Sequence, residues 1–296
     1  MEPERAVRKR NSLGFLGFAV LLLGIVLVCM LHFFWENPVY YQLNEYTSEE
    51  EPFRAMAFGE GNLSAMFSMA EEKKEDPFEV IAAFMADSEY DLTDEKGKSL
   101  SFGRWQDIKK GVSKVKPVEF TKLSHAYETL LADLEYFPLP QGDSEASRNY
   151  GYEDSWGYER TYGGERRHEG TDIMGGGNSR GFFPVISVSD GTIEHIGWLE
   201  LGGWRIGIRT PHGAYLYYAH LSSYDHEFVP GEEIKAGQLL GFMGDTGYSK
   251  VEGTTGNFAV HLHFGIYFRT DHYEELSVNP YWILKYLEDK KVKYSY

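Results

Sequence analysis

The sequence predicts a mostly β domain that follows an N-terminal transmembrane helix and a small helical membrane-proximal region. Three observations support this fold class. Residues 13–35 contain no Asp, Glu, Lys or Arg. Residues 63–137 carry apolar side chains at helical spacing. Beyond residue 140 glycine becomes frequent and short strand-like runs follow one another, which is typical of a small antiparallel sheet.

The apolar run 13–35 is long enough to cross a membrane. As a helix its 23 residues would extend about 34 Å, against a hydrocarbon core of about 30 Å. A cleaved signal peptide is the alternative, but its apolar region would be about 7–15 residues long and small residues would follow it. Here the run ends in Phe33, Phe34 and Trp35, which suit a membrane interface. We therefore expect an uncleaved anchor at 13–35, preceded by a cytoplasmic tail at 1–12.

The charge distribution predicts the orientation and excludes one class of partner. Four basic residues and two acidic residues precede the apolar run, and acidic residues follow it. Positive residues favour the cytoplasmic side, so we expect a single-pass protein of the cell membrane with its main domain outside the cell. The formal net charge is −16, whereas nucleic-acid binding needs a basic face. No nucleic-acid partner is expected.

Residues 36–140 are predicted to form a linker and a helical spacer. Residues 36–62 are polar and acidic, which favours a membrane-proximal linker. The segment 138–142, with two prolines and a glycine, predicts the boundary to the next domain. We expect this region to set the reach of the following domain, or to bind a protein partner.

Two helices are predicted within the spacer. Asp76, followed by Pro77 and by Glu79 three residues on, is a helix start signal. A second apolar stripe at 3–4 spacing begins near Val118. His125 lies near that stripe and is interpreted as a structural histidine rather than a ligand.

The domain at 141–290 is predicted to be mostly antiparallel β structure. Residues 184–196 suggest a hairpin around a tight Asp-Gly turn, and residues 204–220 suggest a second hairpin. Residues 233–241 suggest a further strand region with a glycine bend. A short C-terminal helix is expected after Asn279, which would cap it.

A strand near the C-terminus carries the pattern that suggests a function. Between residues 260 and 268 apolar side chains alternate with others, as in a strand with one buried face. His261 and His263 then lie side by side on the opposite face. Two imidazoles so placed can serve one metal site, or they can be surface histidines, and this motif alone leaves both interpretations open.

Other segments supply further potential ligands. His168 and Asp172 are four residues apart, a spacing that returns to one face of a strand or a helix. An imidazole and a carboxylate are standard zinc donors. His220 ends a strand, on the face shared with Leu216 and Tyr218, where it can also be a buried, hydrogen-bonded histidine. Three donors with an open fourth position would form a catalytic rather than a structural zinc site.

These motifs, in this order, resemble the lysostaphin-like (LytM-type, M23) zinc endopeptidases. The matching elements are His-x-x-x-Asp, a strand ending Tyr-Tyr-Ala-His-Leu, a glycine-rich segment and His-x-His. They extend over roughly residues 150–270. The resemblance implies a small antiparallel β-sheet metallopeptidase domain with its metal in an open groove.

The resemblance also implies a role for each motif residue. His168, Asp172 and His263 are expected to bind Zn²⁺. His220 and His261 are expected to be the catalytic histidines, which help to activate a water and to stabilise the tetrahedral intermediate.

Two functions follow from the resemblance. The first is a membrane-anchored zinc endopeptidase that hydrolyses peptide bonds of bacterial peptidoglycan. The alternative is a non-catalytic scaffold or activator in a cell-wall or sporulation complex, a role taken by members that have lost metal ligands. All five motif positions are filled here, which favours the enzyme.

Overall fold

The computed structural model describes residues 3–36, 39–93, 99–162 and 164–296. The α-helices are α1 Pro3–Glu36, α2 Val39–Gln42, α3 Glu51–Arg54, α4 Asn62–Lys73, α5 Pro77–Asp87, α6 Phe102–Val115, α7 Pro117–Leu131 and α8 Tyr281–Leu287. The strands are β1 Glu159–Arg160, β2 Arg166–Arg167, β3 Thr171–Met174, β4 Pro184–Ile186, β5 Gly191–Leu199, β6 Gly203–Arg209, β7 Tyr215–Tyr224, β8 Glu233–Ile234, β9 Leu239–Met243, β10 His261–Phe268 and β11 Leu276–Val278.

Within α1, the stretch Gly14–Glu36 is long and apolar enough to cross a membrane. Its mean hydropathy is 2.8, and none of it is buried against the rest of the protein. A helix of this length and composition suits either a membrane anchor or a signal sequence. The predicted helix is therefore present.

The mostly antiparallel β prediction is confirmed. Nine strands form one sheet whose main path runs β11-β10-β7-β6-β5-β8, and β3, β4 and β9 join it from the side. All the strand pairs are antiparallel. β6 pairs with β7 as the second predicted hairpin requires. β10 lies between β3, β7 and β11, so the His-x-His strand is central to the sheet.

The first predicted hairpin, at 184–196, is wrong. β4 pairs with β9, whereas β5 pairs with β6 and β8. Asp190 does not close a tight turn, because its carboxylate accepts a hydrogen bond from the amide of Ala236 at 2.8 Å. Gly191 lacks the positive φ that such a turn needs. A Cβ there would lie 2.6 Å from the carbonyl oxygen of Arg209, so this glycine permits the close approach of β5 and β6.

The helical region packs around α5, whose residues from Val80 to Ala86 are all buried. The predicted start of α5 is confirmed, since the Asp76 carboxylate accepts hydrogen bonds from the amides of Phe78 and Glu79. α7 begins at Pro117, close to the predicted position. α4 and α6, which pack on α5, were not predicted.

The acidic stretch interpreted as a linker contributes side chains to the core. Phe53 is fully buried, and its ring centroid lies 4.8 Å from that of Tyr127 on α7 and 6.0 Å from that of Phe268 on β10. The Arg54 side chain donates a hydrogen bond to the carbonyl of Ser277 on β11 at 2.8 Å. The buried residues of the helical region and of the sheet thus form one cluster. The proposed domain limits, 36–140 and 141–290, stay predictions.

We expect Phe53→Ala to lower the free energy of unfolding by about 3–5 kcal/mol, because it leaves a cavity between the helices and the sheet. Val118→Ala is the matched control, since Val118 is 65% exposed. Urea unfolding of the two variants measures the difference. If the two variants were equally stable, the stretch around Phe53 would not fold together with the helices and the sheet.

Candidate metal centre

The pairing register of the strands brings the three predicted metal ligands, His168, Asp172 and His263, together. β10 pairs with β3 so that His263 lies opposite Asp172, and on its other side it pairs with β7 so that His263 lies opposite Ala219. His168 directly follows β2 and lies three residues before β3, and His220 follows Ala219. Neighbouring strands are about 4.8 Å apart, so residues from distant parts of the sequence lie on one line across the sheet.

Three donor atoms form a nearly equilateral triangle. His168 Nε2 lies 3.0 Å from Asp172 Oδ1 and 3.0 Å from His263 Nδ1, and the last two atoms are also 3.0 Å apart. Zinc bonds of about 2.0–2.1 Å in a tetrahedron would place donors roughly 3.3 Å apart. The three residues therefore fit a small divalent cation with three protein ligands.

The protonation of this triad also suits a cation. His168 Nδ1 lies 3.0 Å from the carbonyl oxygen of Ser155, which only accepts, so Nδ1 carries the hydrogen and Nε2 presents a lone pair. Burial lowers the pKa of His263, which favours the neutral ring. Burial acts to raise the pKa of Asp172, but contacts with His168 and His263 outweigh it, so the pKa lies below its usual range. A carboxylate oxygen and two imidazole nitrogens thus converge on one point.

Arg160 holds the remaining oxygen of this carboxylate. Its Nη2 donates to Asp172 Oδ2 at 2.8 Å, which turns Oδ1 towards the two histidines. Such outer contacts orient the residues that bind a metal. The sequence pattern around β1 gave no signal for this role, because Arg160 lies outside the His-x-x-x-Asp motif.

Gly170 makes room for the His263 ring. A Cβ at this position would lie 2.5 Å from the carbonyl oxygen of Phe264 and 2.8 Å from two ring atoms of His263. Those distances are too short for any side chain. The lack of a side chain at Gly170 therefore leaves the space that the His263 ring occupies.

His220 and His261 lie beside the triad with matching hydrogen bonds. His220 Nδ1 donates to the carbonyl of Thr246 and His261 Nδ1 donates to that of Ala259, each at 2.7 Å. Since a carbonyl only accepts, Nε2 of each ring carries the lone pair. The ring centroids are 4.6 Å apart, and His261 Nε2 lies 3.7 Å from Asp172 Oδ1. Burial lowers the pKa of both imidazoles, so both are neutral near pH 7.

The expectation that His220 shares a face with Leu216 and Tyr218 is wrong. Those two residues are fully buried in the core, whereas His220 lines the groove together with Tyr217. The reason is local backbone strain, because His220 has φ +63° and so interrupts the strand alternation. Non-glycine residues in this region are uncommon and concentrate at functional sites.

The five residues lie at one groove of about 460 Å³. Tyr248 forms part of its wall and stacks on Tyr162, with centroids 4.4 Å apart. His195, to which the sequence assigned no function, also lines the groove. His125 pairs with Glu128 on the surface of α7 and is not among the groove residues.

Comparison with known proteins identifies the family. The sequence pattern of Peptidase family M23 matches residues 166–280. The crystal structure of a candidate glycyl-glycine endopeptidase, LytM, from Ruminococcus gnavus ATCC 29149 is 38% identical with a TM-score of 0.74, and the match covers 87% of this chain and 98% of that one. The chain therefore belongs to peptidase family M23.

Two curated relatives match over shorter segments. The L-Ala–D-Glu endopeptidase of Bacillus subtilis (strain 168) is 36% identical over 163 residues, 55% of this chain and 47% of that protein. The glycyl-glycine endopeptidase ALE-1 of Staphylococcus capitis is 39% identical over 100 residues, 31% of this chain and 25% of that protein. The chain thus spans about half or less of the length of these curated relatives.

We expect Gly170→Ala to weaken zinc binding, because the added methyl displaces the His263 ring. A loss of about 10- to 100-fold in affinity is the scale for disturbed ligand orientation. Gly151→Ala is the control, since a Cβ there has nothing within 4 Å. Competition titration with a zinc chelator measures both affinities, and equal values would contradict the assigned role of Gly170.

We expect His263→Ala to lose zinc and His261→Ala to keep most of it. His263 Nδ1 belongs to the 3.0 Å triangle, whereas His261 Nε2 lies 3.7 Å from Asp172 Oδ1. Zinc content per chain, measured by mass spectrometry of the purified variants, tests this division. It would be wrong if both variants lost zinc equally.

Proposed function

We propose that this chain is a zinc-dependent endopeptidase that hydrolyses peptide bonds of bacterial peptidoglycan. The observation that carries the proposal is the complete donor triangle of His168, Asp172 and His263 at a groove, with two oriented imidazoles beside it. A purely structural zinc site would be closed by four protein ligands.

In this proposal the three triangle residues hold the zinc ion. Zinc, when bound, supplies a Lewis acid for the scissile carbonyl and lowers the pKa of a water molecule. Asp172 contributes one negative charge to the site, and Arg160 keeps its carboxylate oriented. The groove leaves room for a peptide to approach this point.

His220 and His261 are proposed to move protons and to stabilise charge. Each ring is held through Nδ1, so its Nε2 has a fixed direction. With the lowered pKa both rings begin unprotonated, and one can accept a proton from an attacking water. An imidazolium so formed can then stabilise negative charge on the tetrahedral intermediate and return its proton to the leaving amine.

The proposed substrate and location support each other. The curated relatives are named for cleavage of L-Ala–D-Glu and glycyl-glycine bonds. We propose that α1 is an uncleaved anchor with the N-terminus in the cytoplasm, because basic residues precede its apolar stretch. The catalytic domain would then face the cell wall, and the helical region would set its reach or bind a protein partner.

We expect the full chain, purified in detergent, to release soluble muropeptides from purified peptidoglycan in a zinc-dependent manner. Removal of zinc by a chelator should abolish release, and added zinc should restore it. His263→Ala should be inactive, whereas His125→Ala should match the wild type, because His125 is exposed on α7. Zinc binding without release would favour the alternative of a non-catalytic scaffold.

A further inference from the structure

Arg205 on β6 lies in the groove close to the proposed catalytic centre. The pairing of β6 with β7 shifts between Trp204 and Ile206, which places Arg205 opposite Ala219 and His220. Ala219 in turn pairs with His263 on β10. Arg205 is therefore two strands from His263, about 10 Å across the sheet.

The Arg205 guanidinium has no partner among the residues that the structure describes. It forms neither an ion pair nor a hydrogen bond with them, and its Nη1 is shielded from solvent with no acceptor. The other arginines of the outer groove are engaged, since Arg166 donates to the Tyr248 hydroxyl and Arg167 pairs with Glu51. A shielded N–H donor without an acceptor is unfavourable.

The described carboxylates that line the same groove form no ion pair with Arg205. Asp172 belongs to the metal triangle. Glu275 lies 3.7 Å from Arg209, and Glu169 accepts a hydrogen bond from the Tyr267 hydroxyl at 3.4 Å. Among the described groove arginines, Arg205 therefore differs from Arg166 and Arg167 in that its guanidinium has neither a hydrogen bond nor an ion pair, so it is available to an anion of a ligand.

Tyr215 and Tyr217, on the neighbouring strand, line the same groove as Arg205. The Tyr217 side chain packs over Gly202, where an added Cβ atom would lie 2.1 Å from the Tyr217 hydroxyl oxygen. Tyr215 packs over Gly207 in the same way, and burial raises the pKa of Tyr215 to about 12. An ion pair formed against these rings would be partly removed from water, where a guanidinium binds a carboxylate most strongly.

We propose that Arg205 binds a free carboxylate of the substrate. A guanidinium matches a carboxylate with two parallel N–H donors. The distance of about 10 Å corresponds to about three residues of extended peptide. The favoured substrate is then an acidic peptide with a carboxylate within about three residues of the cleaved bond, as in a peptidoglycan stem, rather than a neutral oligoglycine bridge. This inference rests on the proposed function.

The test compares purified peptidoglycan with the same material after its carboxylates are converted to amides by carbodiimide and ammonia. The full chain, loaded with zinc, should release muropeptides about ten- to hundredfold faster from the untreated material. On untreated peptidoglycan, Arg205→Gln should release muropeptides only as fast as the wild type does from the amidated material. On the amidated material, Arg205→Gln and the wild type should have the same rate. Arg205→Lys should retain an intermediate preference, because it keeps the charge without the paired donors.

Arg167→Gln is the matched control, since it removes the same charge at the groove edge from an exposed pair. Its preference should equal that of the wild type. Equal wild-type rates on the two materials would overturn the inference and leave the proposed function intact. If Arg205→Gln lowered the rate by the same factor on untreated and on amidated peptidoglycan, Arg205 would have a structural role. That result would also overturn the inference. No release from either material by the wild type would instead refute the proposed function.

Discussion

The pairing of β10 with β3 on one side and with β7 on the other places Asp172, His263 and Ala219 on one line across the sheet. The site depends on this register, because strand side chains alternate between the two faces. A slip of one residue would send His263 into the core and bring Leu262 or Phe264 to the groove. The buried apolar face of β10 opposes such a slip, since Leu262, Phe264 and Ile266 are fully buried.

Hydrogen bonds to backbone carbonyls orient three of the four histidines in the site. Three of its imidazoles, those of His168, His220 and His261, direct Nδ1 at a carbonyl oxygen, which fixes both the tautomer and the ring orientation. His263 lacks this arrangement and presents Nδ1 itself to the triangle, and its ring is positioned instead by the space above Gly170. The two ways of fixing a ring explain why nearby histidines can have different roles.

Sequence patterns predicted the elements of the fold better than their connections. The alternation around His261 and the capping signal at Asp76 are local, so they predicted β10 and the start of α5 correctly. The Asp190-Gly191 pair is also a local turn signal, but a long-range bond to Ala236 determined the chain path there. Phe53 was assigned to a linker because its neighbours are polar, whereas its own side chain packs between α7 and β10.

The sequence by itself determined the candidate ligands, since the residue types and their order are chemical facts that need no coordinates. It also determined the apolar helix, because length and composition decide whether a segment can span a bilayer. Only the tertiary structure decided that His220 turns into the groove, that Arg160 orients Asp172 and that the Arg205 guanidinium has no partner among the described residues. Each of these depends on backbone strain or on contacts between distant segments, and neither leaves a periodic signal in the chain.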